Sequence, residues 1–265
     1  MVYTIAHETI HLTHTDHLTQ SQLIVLLFGL AGERAAAGGI TRSHPVVADS
    51  PNGFAPLTAA RHPERNERPR TEADFPEAIE AILAGIHDPR RMPFGNPWTD
   101  APRDELILNS LRHWWSVRGN VTPEHWQLPF AVRHDDTFVG VQELAAKDFA
   151  VTRTVGSGSW LTRSAQGQGI GVEMRTAILL LAFDHLGAEF ATTAAFVDNT
   201  ASNGVSRKVG YLKDGREMLQ RRPGEPAEHQ RYLLTPDRLN RPEWELGVSG
   251  LEPCLRMLGT GPIDR

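Results

Sequence analysis

Apolar positions between residues 71 and 235 recur with two different periods. Phe75, Ile79, Ile82, Leu83 and Ile86 fall three or four apart, the spacing of one face of a helix. Thr71 can cap that helix, and Asp74 three residues on makes a weak capping box. A second helix is expected over 104–118, with Leu108, Leu111 and Trp115 on one stripe and Pro102 just before its start. The period then shortens. Strands are expected over 128–133 and 138–144, around the polar turn His134-Asp135-Asp136-Thr137. A third strand, 154–162, alternates loosely and runs into a polar, Gly-rich turn at 163–169. A strong helix follows over 170–185, with Met174, Ala177, Ile178, Leu181 and Ala182 on one face. A strand over 189–197, a short helix over 200–209, and a strand pair at 211–220 and 228–235 complete the pattern. A first strand within 54–70 would complete a mixed sheet, although prolines there cannot donate to a ladder.

Composition changes the picture mainly by exclusion. The chain has 265 residues, 40% of them hydrophobic and 22% charged, with a formal net charge of −5. That supports a proper core and offers no basic bias toward nucleic acid. The lone Cys254 cannot make an intrachain disulfide. The longest apolar run, 23–30, is too short for a membrane span of about 20 residues. No signal-peptide pattern opens the chain, so a cytoplasmic location is expected. Five prolines (Pro45, Pro51, Pro56, Pro63 and Pro69) mark a linker or irregular lead-in. The expected organisation is an N-terminal extension and linker over 1–53, a domain over 54–240 and a tail over 241–265.

The chemistry centres on Gln166-Gly167-Gln168-Gly169-Ile170-Gly171, which follows a strand and opens a helix. Glycines there allow positive φ and close backbone approach. The helix start adds free N–H groups and the positive end of the macrodipole, so a diphosphate is the natural guest. The spacing is not the dinucleotide fingerprint G-x-G-x-x-G, and the Gly-Lys-Ser/Thr of nucleotide triphosphatases is absent. By itself the segment could equally be a plain Gly-rich turn.

Three further features accompany it. Gln166-x-x-Gly169-x-Gly171 resembles the Q/R-x-x-G-x-G/A coenzyme A loop of the GNAT acetyltransferase superfamily. Asn199-x-x-Ser202 followed by Ser206-Arg207-Lys208-Val209-Gly210-Tyr211 resembles that family's second cofactor motif, and Ser159-Trp160-Leu161-Thr162 its fourth strand. The nearest look is to the branch of the ribosomal-protein alanine acetyltransferases. The resemblance implies an α+β fold with a mostly antiparallel, twisted sheet of about six or seven strands and about four helices. It implies N-acetyl transfer from acetyl-CoA to a primary amine on a small molecule or a peptide or protein N-terminus. No nucleic acid or membrane is implicated, and a homodimer is expected. The residues it assigns to acetyl-CoA are Trp160, Leu161, Thr162, Gln166, Gly167, Gln168, Gly169, Ile170, Gly171, Asn199, Ser202 and Lys208. Backbone near 160–162 would bind pantetheine and polarise the thioester carbonyl.

The acceptor must lose a proton before it attacks, so a base or a water chain is needed. Glu143, at the end of a strand, is the expected base, with Asp148 and Glu173 as other candidates. Ser206 stands where many family members carry a tyrosine acid, and it is expected to meet the departing thiolate. Tyr211 reads as core. Trp98, Trp114, Trp115 and Trp126 could line an acceptor pocket or simply pack the core. A larger acyl group such as succinyl would require a basic residue in the acyl pocket.

One motif stands apart. His7-Glu8-x-x-His11 has the H-E-x-x-H form, and on a helix His7 and His11 could share zinc, with His17 or Glu33 as a third ligand. Only six residues precede His7, too few for the rest of a peptidase. The segment is therefore expected to be a helical appendage with no metal role. A non-catalytic acyl-CoA-binding module and a zinc peptidase are the rival functions.

Overall fold

The computed structural model describes residues 11–15, 22–27 and 74–260. All fall in one compact unit, formed by 1–31 and 70–265. The strand expected within 54–70 and the proposed cap Thr71 lie outside the described residues.

In chain order the elements are β1 (His11–Thr15), β2 (Gln22–Leu27), α1 (Phe75–Ala84), α2 (Arg103–Gly119), β3 (His125–His134), β4 (Thr137–Lys147), α3 (Phe149–Thr152), β5 (Thr154–Leu161), α4 (Ile170–Leu180), β6 (Phe190–Phe196), α5 (Thr200–Val209), β7 (Leu212–Arg222), β8 (Glu225–Leu234) and β9 (Leu246–Ser249). The strands form one nine-stranded sheet in the order β7-β8-β6-β5-β4-β3-β2-β1-β9. Every ladder is antiparallel except β5–β6. The α+β class holds, with more strands than the expected six or seven.

Local chemistry accounts for the main turns. Asp135 and Asp136 sit at φ 47° and 60°, the left-handed pair of a two-residue hairpin, which short polar side chains tolerate. Pro129 is accommodated inside β3 because β2 pairs only with 130–134, so no partner there needs its missing N–H. Asp74, rather than capping α1 through its side chain, is buried and ion-paired with Arg133 of β3. That pair pins α1 to the sheet. Burial works against the Arg133 charge, but the Asp74 carboxylate beside it raises its pKa above the usual value.

Three expectations are corrected. The N-terminal extension contains strands, not helix, at 11–15 and 22–27, and its β2 pairs with β3 along Phe130–His134. A short apolar run such as Leu23–Leu27 fits a buried strand and a buried helix equally, and the β-branched Ile24 and Val25 favour the strand. Within the expected tail, residues 246–258 also join the core. Its β9 pairs with β1, and a 3₁₀ turn, Glu252–Leu258, buries Cys254 and Leu258. Trp126 donates its indole N–H to the Leu258 carbonyl at 3.1 Å. Finally, α2 packs on Leu106, Ser110, Trp114 and Val117; of the expected stripe Leu111 is partly buried against the core, while Leu108 and Trp115 are exposed. The helix is rotated by about half a turn from the expected stripe.

The sheet carries a core on each face. Trp126, Leu128, Phe130, Leu144, Phe149 and Ile178 belong to the α4 face. Phe75, Ile82, Leu106, Trp114, Ala131 and Val141 belong to the α1–α2 face. Such alternation along β3 is what a strand buried on both sides requires.

Candidate active site

The site begins where the parallel ladder stops. β5 pairs with β6 only from Thr154–Gly156 to Phe190–Thr192, and beyond Gly156 the two strands diverge. β5 stays bonded to β4 throughout, and the Thr162 N–H donates to the Val139 carbonyl at 2.8 Å. Backbone groups alternate sides along a strand. The N–H groups of Ser159 and Leu161 therefore face the open wedge, while those of Trp160 and Thr162 serve the β4 ladder. Of the interval expected to bind pantetheine through backbone, Leu161 offers its amide to the wedge and Thr162 does not.

At the head of the wedge lies the glycine loop. Gly167 and Gly169 have φ of 78° and 93°, and Gly169 caps α4. The Ile170 and Gly171 amides, in the first turn, make no backbone hydrogen bond among the described residues, as a helix start dictates. Gln166 lines the groove and also braces the loop. Its Nε2 donates to the carbonyls of Ile86 (2.8 Å) and Leu161 (3.0 Å), tying the loop to the end of β5 and to the segment after α1. Gln168 likewise donates to Ser164 O at 2.6 Å. Gly171 brings α4 close to α5, since a Cβ there would lie 3.4 Å from Val205.

The wedge opens into a groove of about 470 Å³, walled by β5, β6, the start of α4 and the first turns of α5; of the glycine loop, Gln166 and Gly171 line it, while Gly167, Gln168, Gly169 and Ile170 do not. Asn199 caps α5 by accepting from the Ser202 N–H at 3.1 Å, and both line the groove. Behind them Asn203, missed from sequence, is buried; it donates to the Phe196 carbonyl and accepts from the Tyr232 hydroxyl at 2.8 Å. This fixes the β6–α5 turn.

Ser206 is elsewhere. It is buried, does not reach the groove, and donates its hydroxyl to the Ser202 carbonyl at 3.1 Å. Of the two serines, Ser202, one turn earlier, is the one that lines the groove. Lys208 also lies off the groove, exposed at the far end of α5, with its carbonyl held by Asn240. Tyr211 is buried as expected, and desolvation pushes its phenol pKa up.

A second cavity, of about 540 Å³, lies on the opposite face and shares Phe94, Gly158, Ser159 and Trp160 with the groove. Glu143 lines it. Gln127 holds the Glu143 Oε2, and Oε1 lies beside Gly158, 3.8 Å from where a Cβ would stand. The carboxylate thus faces the segment common to both cavities. Trp98 and Trp114 form aromatic walls, whereas Trp126 is core and Trp115 exposed. Sequence reading missed His113, on the rim, and Ser110, whose buried hydroxyl has no hydrogen-bond partner among the described residues. Neither Asp148 nor Glu173 lines either cavity. Asp148 sits at φ 50° before α3, and Glu173 lies beside Gly169.

One segment, residues 86–98, contributes to both cavities. Its attachments are specific: His87 to Thr99 at 2.7 Å, and Arg222 of β7 to Asp100 and to the Pro89 carbonyl. The Arg222 guanidinium holds the Asp100 carboxyl below its usual pKa.

The zinc motif gains no support. His11 opens a strand, where it pairs with Leu26 and Ser249, and His7, Glu8, His17 and Glu33 lie outside the described residues. Among the described residues no cluster could hold a metal ion.

A donor with an anionic head and a long narrow arm fits the groove, and the shared wall gives a second substrate access to its tip. That is the layout of an acyl-CoA-dependent transferase. A family model described as an acetyltransferase (GNAT) domain matches residues 68–212, and the chain belongs to that family. It is an acyltransferase that draws on acetyl-CoA and delivers the acetyl group to an amine.

Solved structures agree on the fold. Mycobacterium smegmatis RimJ, solved with a coenzyme A disulfide, superposes with a TM-score of 0.54 at 20% identity, over 64% of this chain and 80% of that one. RimL, described as a ribosomal L7/L12 alpha-N-protein acetyltransferase and solved with coenzyme A, gives 0.50 at 19% identity, over 63% and 91%.

Proposed function

We propose that the chain acetylates the free α-amino group of a protein or peptide. The observation that carries this reading is Glu143, set in a neutral, aromatic cavity and facing the Gly158–Trp160 wall that the donor groove shares. An α-amine has a pKa of about 7.7–8.0, against about 10.4 for a lysine. About one α-amine in ten is already neutral at pH 7, but only about one lysine in 2,500. Among the described residues that line the cavity Glu143 is the one carboxylate, with His113 on the rim and no Lys or Arg, which suits the easier proton.

The cavity offers recognition besides. Ser110 presents an unsatisfied hydroxyl, and Trp98 and Trp114 suit a small apolar first side chain. RimL, of the same fold, is described as acting on the α-amine of a ribosomal protein, which supports the same acceptor class here.

In the reaction, the amine nitrogen attacks the thioester carbonyl carbon. The developing oxyanion takes the free N–H of Ser159 or Leu161. Glu143 accepts the proton of the attacking amine, directly or through one water. The test is a panel of short peptides with free or blocked N-termini, with and without internal lysine, alongside small primary amines. Transfer that requires a free N-terminus and ignores lysine supports the reading. Equal transfer to small amines, with none to peptides, would replace it.

A further inference from the structure

A buried cation occupies the groove and no step described so far uses it. Arg175, on the second turn of α4, is 3% exposed and lines the groove. Its guanidinium spans the wedge just past the last β5–β6 pair. Nη1 donates to Thr193 Oγ1 of β6 at 3.2 Å, and Nη2 to Ser159 Oγ of β5 at 3.1 Å.

Both partners are neutral hydroxyls. Among the described residues no carboxylate bonds Arg175, and Tyr211 is the only titratable group that acts on it. A buried charge without a counter-charge is costly. Desolvation accordingly lowers its pKa, yet a guanidinium stays protonated. A groove that keeps such a charge is built for an anion that arrives there.

Acetyl-CoA carries its permanent charge at the phosphates, which belong at the glycine loop. Its arm is neutral until the C–S bond breaks. The sulfur then keeps the bonding electron pair, and a thiolate forms inside the wedge. The family's usual proton source is missing at this point, since Ser206 stands in its place and is turned away. We propose that Arg175 stabilises the coenzyme A thiolate as it leaves, through charge and not by donating a proton. This rests on the acetyl-transfer reading of the same groove. The thiolate takes its proton from solvent after release, and the amine proton stays with Glu143 or water, so the step balances. An interaction that grows only as the thiolate forms favours the transition state over the bound substrate.

The test compares coenzyme A with desulfo-coenzyme A, which has no thiol, by calorimetry between pH 6 and 9. Other titratable or charged groups line the groove, namely His87, Asp88, Arg91, Asp198 and His229, with His229 facing Glu217. Both ligands experience these equally, so the difference between them isolates the sulfur. We expect coenzyme A to tighten with rising pH relative to desulfo-coenzyme A, by about tenfold over the range. The thiolate absorbance of the bound ligand should titrate at least about one unit below that of the free thiol. In Arg175→Met the two ligands should run parallel, with desulfo-coenzyme A binding as in wild type. Acetyl transfer should lose about tenfold or more in kcat, with KM for acetyl-CoA little changed. Arg175→Lys should keep part of the thiol shift.

Parallel curves in the wild-type protein would overturn the proposal without any variant, whether or not Arg175→Met folds. So would an unshifted thiol combined with a preference for succinyl-CoA that Arg175→Met abolishes, because Arg175 would then select the acyl group. Failure of both ligands to bind would instead count against the donor groove itself.

Discussion

At the scale of single residues, the donor loop was legible and the serine that lines the groove was not. Gly167 and Gly169 stand where positive φ is needed, and only glycine adopts it freely, so spacing alone located the turn. Ser202 and Ser206 both carry a hydroxyl on one short helix. Which of them faces the groove depends on how α5 is rotated against β6, and the buried Asn203 sets that through its bonds to Phe196 and Tyr232. Arg175 left one usable signal, a charge inside the apolar run Met174–Leu180. The geometry predicts that Ser206→Ala leaves turnover unchanged and costs about 1 kcal/mol of stability, read as a small drop in melting temperature. Ser202→Ala should leave kcat within about threefold of wild type, because the thiolate takes its proton from solvent. Glu143→Gln should lower kcat/KM by about a hundredfold at pH 7, with acetyl-CoA affinity unchanged by calorimetry.

At the scale of elements, most spans were readable because the apolar period was strong. The 200–209 helix, for instance, was located to the residue. What failed was orientation. The α2 stripe was assigned to Leu108, Leu111 and Trp115, yet the sheet takes Leu106, Ser110 and Trp114. The choice follows from the neighbouring Phe75 and Ile82 of α1, which no pattern within α2 reveals. The segment 86–98 was invisible to periodicity because it has no regular structure, although it closes both cavities. Its Arg222–Asp100 anchor gives a pH prediction. Hydrogen bonding to Arg222 depresses the Asp100 pKa. The contact is therefore fully present above about pH 4, the ordinary carboxylate value, and is lost as pH falls through the lower folded value. Asp100→Asn imitates that loss at neutral pH. It should raise KM for acetyl-CoA and for the acceptor together by a few-fold. Because the pair is partly exposed, the melting temperature should barely move.

At the scale of the whole molecule, both chain ends were read as appendages and both contribute strands. The sequence signals there are short, and the partners that join them to the sheet are remote: β1 pairs with β9, and β2 with β3. Long-range pairing of this kind leaves no local periodicity to read. A chain lacking residues 1–50 would strip β2 from β3 and leave the Phe130–His134 edge bare. It should melt several degrees lower and self-associate in light scattering. Truncation after residue 240 would remove the buried Cys254 and Leu258 and the acceptor of the Trp126 indole, with a comparable loss. The molecule thus stabilises its active site from its ends while the reacting groups sit on its middle strands.

The central claim is that the wedge between β5 and β6, headed by the Gly169 turn, holds acetyl-CoA. Calorimetric titration of acetyl-CoA into the full-length protein and into Gly169→Glu tests it most directly. The account predicts one-to-one binding to the wild-type protein and none to the variant, whose carboxylate would stand against the diphosphate at a position with φ of 93°. Equal affinity in the two proteins would contradict it.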